Sequence, residues 1–388
     1  MAGCSGVGGW VAAADRQVDV RSWMRVLIAA AVAAAAGPWV LSGALAGEPQ
    51  PIVRIAVVTE GPAAPLVGQL MDGEADVEAV YRHAFDGAVV QVAADHADQV
   101  RRDPRVLAVD RLGPARELVT GSDAPGSLPD AYGPVAYVLD SPVATDDPWF
   151  DGVTMVSGFT AHPVGDDCAG HGSAVAGVVA GRSGLVRGVP VVSVAVSCRR
   201  LDDRAVLDAL EWVAARHPPG TSGVLNVSLA LPGHASFEYA LRGVVAQGIV
   251  PVFAAGNRGV DACAGLIERV ADVALVVGAV DAELRRSRSN LGPCVDVFAV
   301  GQGVLTTDGR GGLRLLGGTS SAAPQVTAEV ARRLQVGGHQ PVEQVIAEVV
   351  EGARTAPIHD AGPGSPHRVV QPAPADRHYR DERAAAPV

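Results

Sequence analysis

Short apolar runs alternate with helix-like segments through the central half of this chain, and this alternation constrains the fold more than any other feature. The runs cover residues 135–139, 191–196, 224–229, 249–254 and 273–277, and helix-like segments lie near 171–181, 203–215 and 236–247. Such runs are typical of parallel strands that are buried on both faces. Right-handed crossovers would place the helices on both sides of the sheet. The sequence therefore predicts an α/β domain whose functional side chains follow the carboxyl ends of strands.

An apolar segment precedes this domain near the amino terminus. Residues 26–46 follow two arginines, are almost entirely apolar, and end in Ala-Leu-Ala at 44–46. This pattern predicts a secretory signal peptide over 1–46 and an extracellular protein. An uncleaved membrane anchor is the alternative, although a Gly-Pro pair at 37–38 interrupts the segment and its length is marginal for a membrane span.

Residues 47–120 have the pattern of a small α+β domain. Strands are predicted at 52–58, 88–92 and 106–109, and helices at 63–71 and 94–101. Two helices packed on an antiparallel sheet would fit this order. A polar stretch rich in Gly and Pro follows at 121–127 and is of the kind that proteases cut. At the carboxyl end, one helix is predicted at 342–350, and the composition of 373–388 predicts a disordered tail.

Charge and cysteine content narrow the class of protein. The net charge of −11 and the pI near 5.3 argue against a nucleic-acid partner. Of the five cysteines, Cys4 lies in the predicted signal peptide, and the other four lie in the α/β region. An even number is typical of an exported, disulfide-bonded protein, whereas four reduced core thiols would require a cytosolic location.

Four polar residues of the α/β region lie at predicted strand ends or helix starts. Asp140 follows the first run, His171 opens a helix of small residues, Asn257 follows the fourth run, and Ser320 follows a Gly-rich turn. Each has an ordinary explanation by itself as a turn, a cap or an exposed side chain. Together they have the chemistry of nucleophilic catalysis: a carboxylate orients an imidazole, the imidazole takes the serine proton, and the amide stabilises an oxyanion.

The turn before Ser320 predicts a helix start. Val326, Val330 and Leu334 recur every four residues after it, as on one face of a helix. A serine in this position lies beside free backbone N–H groups and the positive end of the helix dipole, which stabilise an oxyanion on an attacked carbonyl. Pro324 is expected in the first helical turn, where a missing N–H is tolerated.

These motifs resemble those of the subtilisin-like serine proteases, nearest the proteinase K branch. The resemblance rests on Gly-His-Gly-Ser at 170–173, Phe-Ala-Ala-Gly-Asn at 253–257, the segment 290–299, and Gly-Thr-Ser-Ser-Ala-Ala-Pro at 318–324. In the small domain, 81–88 and 103–106 resemble the inhibitory propeptide of that family. The resemblance covers roughly residues 52–370.

The resemblance implies a secreted serine endopeptidase with a catalytic triad of Asp140, His171 and Ser320 and an oxyanion donor at Asn257. It implies synthesis as a zymogen, with 47–120 as an inhibitory propeptide that is cut away and 121–372 as the peptidase domain. The expected partners are protein or peptide substrates and the propeptide itself, with no nucleic acid, and the mature enzyme would be a monomer.

The resemblance also implies a substrate edge and a disulfide pattern. Substrate backbone would pair as an extra strand beside Ser228, Leu229 and Ala230. The thermophilic members of the branch form two disulfide bonds, which here would be Cys168–Cys198 and Cys263–Cys294. No cofactor is required for the chemistry; structural calcium is often present in such enzymes, and no complete ligand set can be mapped onto this chain.

The motifs depart from the family pattern at Pro142, Ala174, Ala230 and Ser321. None of these changes removes a reacting atom, but Pro142 places a rigid ring beside the carboxylate and Ala230 adds a side chain to the substrate edge. A protease-like binding or scaffold protein with a misaligned site is therefore the alternative. A lipase or esterase is disfavoured because the motif Gly-x-Ser-x-Gly is missing around Ser320.

Overall fold

The computed structural model describes residues 50–70, 75–114, 128, 133–161, 170–197, 201–286 and 288–371. The predicted signal peptide at 1–46, the predicted cut region at 121–127 and the predicted tail at 373–388 lie outside the described residues, so these three stay predictions. In the part of the chain that is described, no helix is both long enough and apolar enough to cross a membrane.

The amino-terminal region folds as a four-stranded antiparallel sheet with two helices. Its elements are β1 (Ile52–Thr59), α1 (Ala63–Leu70), β2 (Asp76–Tyr81), β3 (Gly87–Ala93), α2 (Ala94–Val100) and β4 (Val106–Arg111). The strand order is β2-β3-β1-β4. The sequence predicts all of these elements except β2, in which the acidic side chains of Asp76 and Glu78 interrupt the apolar pattern.

Both faces of this small sheet are buried, and alternation along β1 explains how. Ile55 and Val57 point to one face and form a cluster with α1 and α2. Ala56 and Val58 point to the other face and belong to the core of the larger α/β region. The small sheet therefore packs directly against the α/β region.

The rest of the described chain has the predicted α/β fold. Strands and helices follow in the order β5 (Val135–Asp140), β6 (Met155–Thr160), α3 (Gly170–Ala180), β7 (Val191–Ala195), α4 (Asp203–Arg216), β8 (Gly223–Val227), α5 (Ala235–Ala246), β9 (Ile249–Ala254), α6 (Leu266–Val270), β10 (Leu275–Val280), β11 (Val297–Val300), β12 (Val304–Thr307), β13 (Leu313–Leu316), α7 (Thr319–Gly337), α8 (Val342–Gly352), β14 (Arg354–Thr355) and β15 (Arg368–Val369). A short 3-10 helix, Pro148–Phe150, precedes β6.

One nine-stranded sheet organises this region. Its order is β14-β15-β11-β10-β9-β8-β5-β7-β6, and every neighbouring pair is parallel except β14 with β15. All residues of β5, β7, β8 and β10 are buried. Helices cover both faces, so these strands have no polar side, which is why they read as continuous apolar runs.

Two predictions outside the sheet have different outcomes. Cys263 and Cys294 form a disulfide bond, which confirms that pairing, whereas Cys168 and Cys198 lie outside the described residues.

The expectation that Pro324 lies in the first helical turn is wrong. Because α7 begins at Thr319, Pro324 lies in the second turn, where its missing N–H cannot bond the carbonyl of Ser320.

Candidate active site

The elements of the α/β region bring Asp140 and His171 together. Asp140 is the last residue of β5, and His171 is the second residue of α3. The distance between Asp140 Oδ1 and His171 Nδ1 is 2.7 Å. A carboxylate can only accept a hydrogen bond, so Nδ1 carries the proton and donates it. The other ring nitrogen, Nε2, is then left to accept a proton from a nucleophile.

Burial sets the electrostatics of this pair. The Asp140 side chain is 1% exposed, whereas that of His171 is 38% exposed. The hydrogen bond with Asp140 raises the pKa of His171, burial of the ring lowers it, and the balance is a pKa above the ordinary value for histidine. Among the described residues, Asp140 Oδ2 is buried without a hydrogen-bond partner. The raised pKa means that the Asp140 carboxylate stabilises the protonated form of His171.

Hydrogen bonds and close packing hold the turn after β5 in place. This turn precedes Pro142, which departs from the family pattern. The Ser141 N–H donates to Asp140 Oδ1 over 2.7 Å, and Ser141 Oγ accepts from the Gly172 N–H over 2.9 Å. A Cβ at Gly172 would lie 2.0 Å from the carbonyl oxygen of Ser141, so the start of α3 can approach this turn only with glycine there. Pro142 follows this turn, and the Asp140–His171 hydrogen bond is present beside it.

Asn257 lies three residues beyond β9 and is oriented by the residue that precedes Ser320. The Thr319 N–H donates to Asn257 Oδ1 over 2.9 Å, and Thr319 Oγ1 donates to the same oxygen over 3.2 Å. Thr319 Oγ1 in turn accepts from the Gly256 N–H over 3.2 Å. Because Oδ1 is held by these donors, the Nδ2 amide is directed away from Thr319 and is available to donate to a ligand.

Ser320 is the second residue of α7, where the N–H groups of the first helical turn have no acceptor within the helix. Helices α3 and α7 pack against each other. In the described part of the chain, His171 Nε2 and Ser320 Oγ do not form a direct hydrogen bond. Such bonds are commonly long in unliganded sites and shorten when substrate binds.

The predicted substrate edge follows β8 and is linked to α7 by buried polar groups. Ser228 is buried, Leu229 is half-buried and Ala230 is exposed. Asn226 is fully buried in β8, donates to Ser228 Oγ over 3.0 Å, and accepts from Thr327 Oγ1 of α7 over 2.9 Å. A buried polar network of this kind fixes the position of the groups it joins.

The sequence predicted neither Asn226 nor Thr319 as part of this site. A polar Asn within an apolar strand is the one signal that could have identified Asn226.

For calcium, the described ranges contain no group of three or more His, Cys, Asp or Glu side chains that could hold a metal ion. Structural calcium therefore stays a prediction.

The α/β region is similar in sequence to known proteins. Residues 133–370 match a family model described as the subtilase family. An alkaline serine exoprotease A of Vibrio alginolyticus is 32% identical over 313 residues, which are 73% of this chain and 58% of that protein. An extracellular serine proteinase of Thermus sp. is 29% identical over 321 residues, which are 76% of this chain and 78% of that protein. The chain thus spans little more than half of the first of these relatives.

A solved structure agrees with the sequence comparisons. The crystal structure of a cold adapted subtilisin-like serine proteinase is 31% identical and covers 63% of this chain and 90% of its own, with a TM-score of 0.58. The family match at 133–370 includes Asp140, His171 and Ser320.

Proposed function

The chain belongs to the subtilase family, and from that premise we propose that it is a secreted serine endopeptidase made as a zymogen. Within the family we place it nearest the proteinase K branch, which the pairing of Cys263 with Cys294 supports. The observation that carries the proposal is the hydrogen bond of 2.7 Å between the buried Asp140 carboxylate and His171 Nδ1. It holds the imidazole in the tautomer that a general base requires.

In the proposed reaction, Ser320 Oγ attacks the carbonyl carbon of a peptide bond and His171 Nε2 takes its proton. The imidazolium that forms is stabilised by Asp140 and then protonates the leaving amine. Negative charge develops on the carbonyl oxygen, and Asn257 Nδ2 and the N-terminal N–H groups of α7 donate to it. Water then releases the acyl group from Ser320 by the same steps in reverse.

The substrate edge supports an endopeptidase that binds extended peptides. Leu229 is half-buried and Ala230 is exposed, so their backbone can pair with a substrate strand, while Ser228 accepts a hydrogen bond from Asn226. The same network reaches α7 through Thr327. We infer that it keeps the substrate carbonyl and Ser320 in a fixed relation.

We also propose that the small amino-terminal domain is an inhibitory propeptide. The support is its contact with two helices of the α/β region. On α4, the Glu211 carboxylate accepts from the backbone N–H groups of Arg82, His83 and Ala84 at 2.8–3.0 Å. At the start of α5, where no side chain of the helix itself caps the N-terminus, Asp110 Oδ2 accepts from the Ser236 N–H over 2.6 Å.

Self-cleavage tests the nucleophile and the zymogen together. We compare the intact mass of the secreted chain with that of Ser320→Ala, both starting after the predicted signal peptide. The parent is expected to lose its amino-terminal region, with the cut within roughly residues 115–130, because linkers of this composition are accessible to proteases. Ser320→Ala is expected to stay full length.

Two other results would contradict this proposal. If both folded proteins stay full length, the chain does not process itself, and the protease-like binding protein becomes the better explanation. If both are trimmed alike, a host protease is responsible, and labelling of the parent by an active-site serine reagent then decides whether Ser320 is reactive.

Glu211→Ala is expected to speed release of the cleaved amino-terminal domain. The Glu211 side chain is 17% exposed, and its removal leaves three backbone N–H groups without their acceptor. Loss of one partner of a buried, hydrogen-bonded charge costs about 2–5 kcal/mol in binding. Because part of this contact is exposed to water, we expect the lower end, about a 30-fold faster dissociation.

The measurement is the time course of activity after self-cleavage, which reports release of the inhibitor. Glu238→Ala is the matched control, because Glu238 binds Arg242 and Arg269 within the α/β region. Equal release rates for the parent and Glu211→Ala would show that this contact does not hold the propeptide.

A further inference from the structure

The hairpin β12–β13 directs one arginine toward the start of α3. Arg314 pairs with Thr306 across the hairpin, so both point to the side of the hairpin that faces α3, where Arg314 itself is exposed. Thr306 is fully buried and donates to the Ala174 carbonyl of α3 over 2.8 Å. Leu313 and Leu315 alternate to the opposite face and are 58% and 65% exposed.

The Arg314 guanidinium lies beside the candidate base. Its Nη1 is 3.7 Å from the position that a Cβ at Gly170 would occupy, and Gly170 directly precedes His171. The positive charge of Arg314 also lowers the pKa of His171, against the larger raising effect of the hydrogen bond with Asp140. Within the described ranges, Asp140 and Arg314 are the charged groups that act on this imidazole.

The Arg314 side chain is exposed at this position, so its charge is open to a ligand. Among the described residues, Arg314 forms neither an ion pair nor a hydrogen bond, and a cation near a helix N-terminus is unfavourable because of the helix dipole. The nearest acid on the hairpin, Asp308, accepts from the backbone N–H groups of Arg310 and Gly312. Asp140 is buried and bonded to His171. The position of Arg314 therefore suits an anion that arrives with a ligand.

Resting on the proposed function, we propose that Arg314 determines substrate specificity by favouring an acidic side chain, and disfavouring a basic one, on the leaving-group side of the scissile bond. His171 protonates the leaving amine, so the residues that follow the scissile bond lie on its side of the site. The acyl side pairs instead with Leu229 and Ala230. A guanidinium beside Gly170 is therefore next to the first residues of the leaving peptide.

The test uses a neutral peptide substrate with Glu, Gln or Lys at the first or the second position after the scissile bond. For the self-processed parent at low salt, we expect kcat/KM to fall in the order Glu, Gln, Lys, with about a tenfold ratio between Glu and Lys peptides. Arg314→Lys is expected to keep this order, Arg314→Ala to abolish it, and Arg314→Glu to reverse it. Arg310→Ala, at the tip of the same hairpin, is the control that should keep the order of the parent.

The pH dependence gives a second measurement that a purely structural role would not change. Removal of the cation raises the pKa of His171, so the acidic limb of kcat/KM for the Gln peptide should move to higher pH in Arg314→Ala. It should stay in place in Arg314→Lys.

The possible failures are distinguishable. Absence of Gln-peptide hydrolysis by the parent would refute the proposed function and, with it, this inference. Hydrolysis of all three peptides at equal rates would overturn the inference alone. A preference that persists in Arg314→Ala, or one confined to the acyl side, would also overturn it.

Discussion

Replacement of either Ser320 or His171 by alanine is expected to lower kcat for peptide hydrolysis by about 10⁶-fold, and the double replacement is expected to lower it no further. This magnitude is the one measured in subtilisin, and we carry it over. The physical reason is that the two groups act as one unit: the hydroxyl is a poor nucleophile without a base, and the base has no proton to take without the hydroxyl. If the two residues contributed independently, the fold-losses in kcat of the two single variants would multiply in the double variant.

Asp140→Asn is expected to have a smaller effect, a loss of about 10⁴-fold in kcat. An amide at this position can donate to His171 Nδ1, which would leave the proton on Nε2 and abolish its function as a base. Asp146→Asn is the matched control, because Asp146 lies nearby on an exposed turn. A wild-type rate in Asp140→Asn would show that the hydrogen bond of 2.7 Å has no catalytic role.

The measurement requires variants that are free of the amino-terminal domain. Because inactive variants cannot process themselves, every chain, including the parent, carries the same site for an external protease within 121–127. Circular dichroism establishes that each variant is folded before its rate is compared. Residual activity of Ser320→Ala above about one thousandth of the parent rate would mean that another group is the nucleophile.

The sequence predicts the centre of the fold better than its periphery, for a physical reason. Strands such as β5 and β8 are covered on both faces, so their apolar runs are unmistakable. The strands β6, β12 and β13 were not predicted. In β13, Leu313, Arg314 and Leu315 are all exposed and only Leu316 is buried, so the strand lacks the alternation that marks a half-buried strand.

Some residues of the candidate site were predicted from the sequence and others were missed. Asp140, His171 and Ser320 are recognisable because strand ends and helix starts are local features. Thr319 and Asn226 were missed because their partners are distant in sequence: Thr319 contacts Asn257 across 62 positions, and Asn226 contacts Thr327 across 101. Contacts of this kind depend on the packing of α7 against the sheet, which the local pattern does not determine.

Asn257→Ala is expected to lower kcat by about 10²–10³-fold with little change in KM. An oxyanion exists only after attack, so a donor directed at it stabilises the transition state and contributes little to binding of the ground-state peptide. The orientation of the amide supports this separation, because Thr319 holds Oδ1 through its N–H and its hydroxyl and leaves Nδ2 to donate.

Asn257→Asp sharpens the test, because it keeps the size of the side chain and replaces the donor by an acceptor. It should lose at least as much activity as Asn257→Ala, since a carboxylate repels the developing negative charge. Thr319→Val should lose less than either, because its backbone N–H still donates to Asn257 Oδ1 while only the hydroxyl contacts are removed. If Asn257→Ala instead raised KM and kept kcat, Asn257 would contribute to substrate binding, and stabilisation of the oxyanion would have to come from the N–H groups at the start of α7.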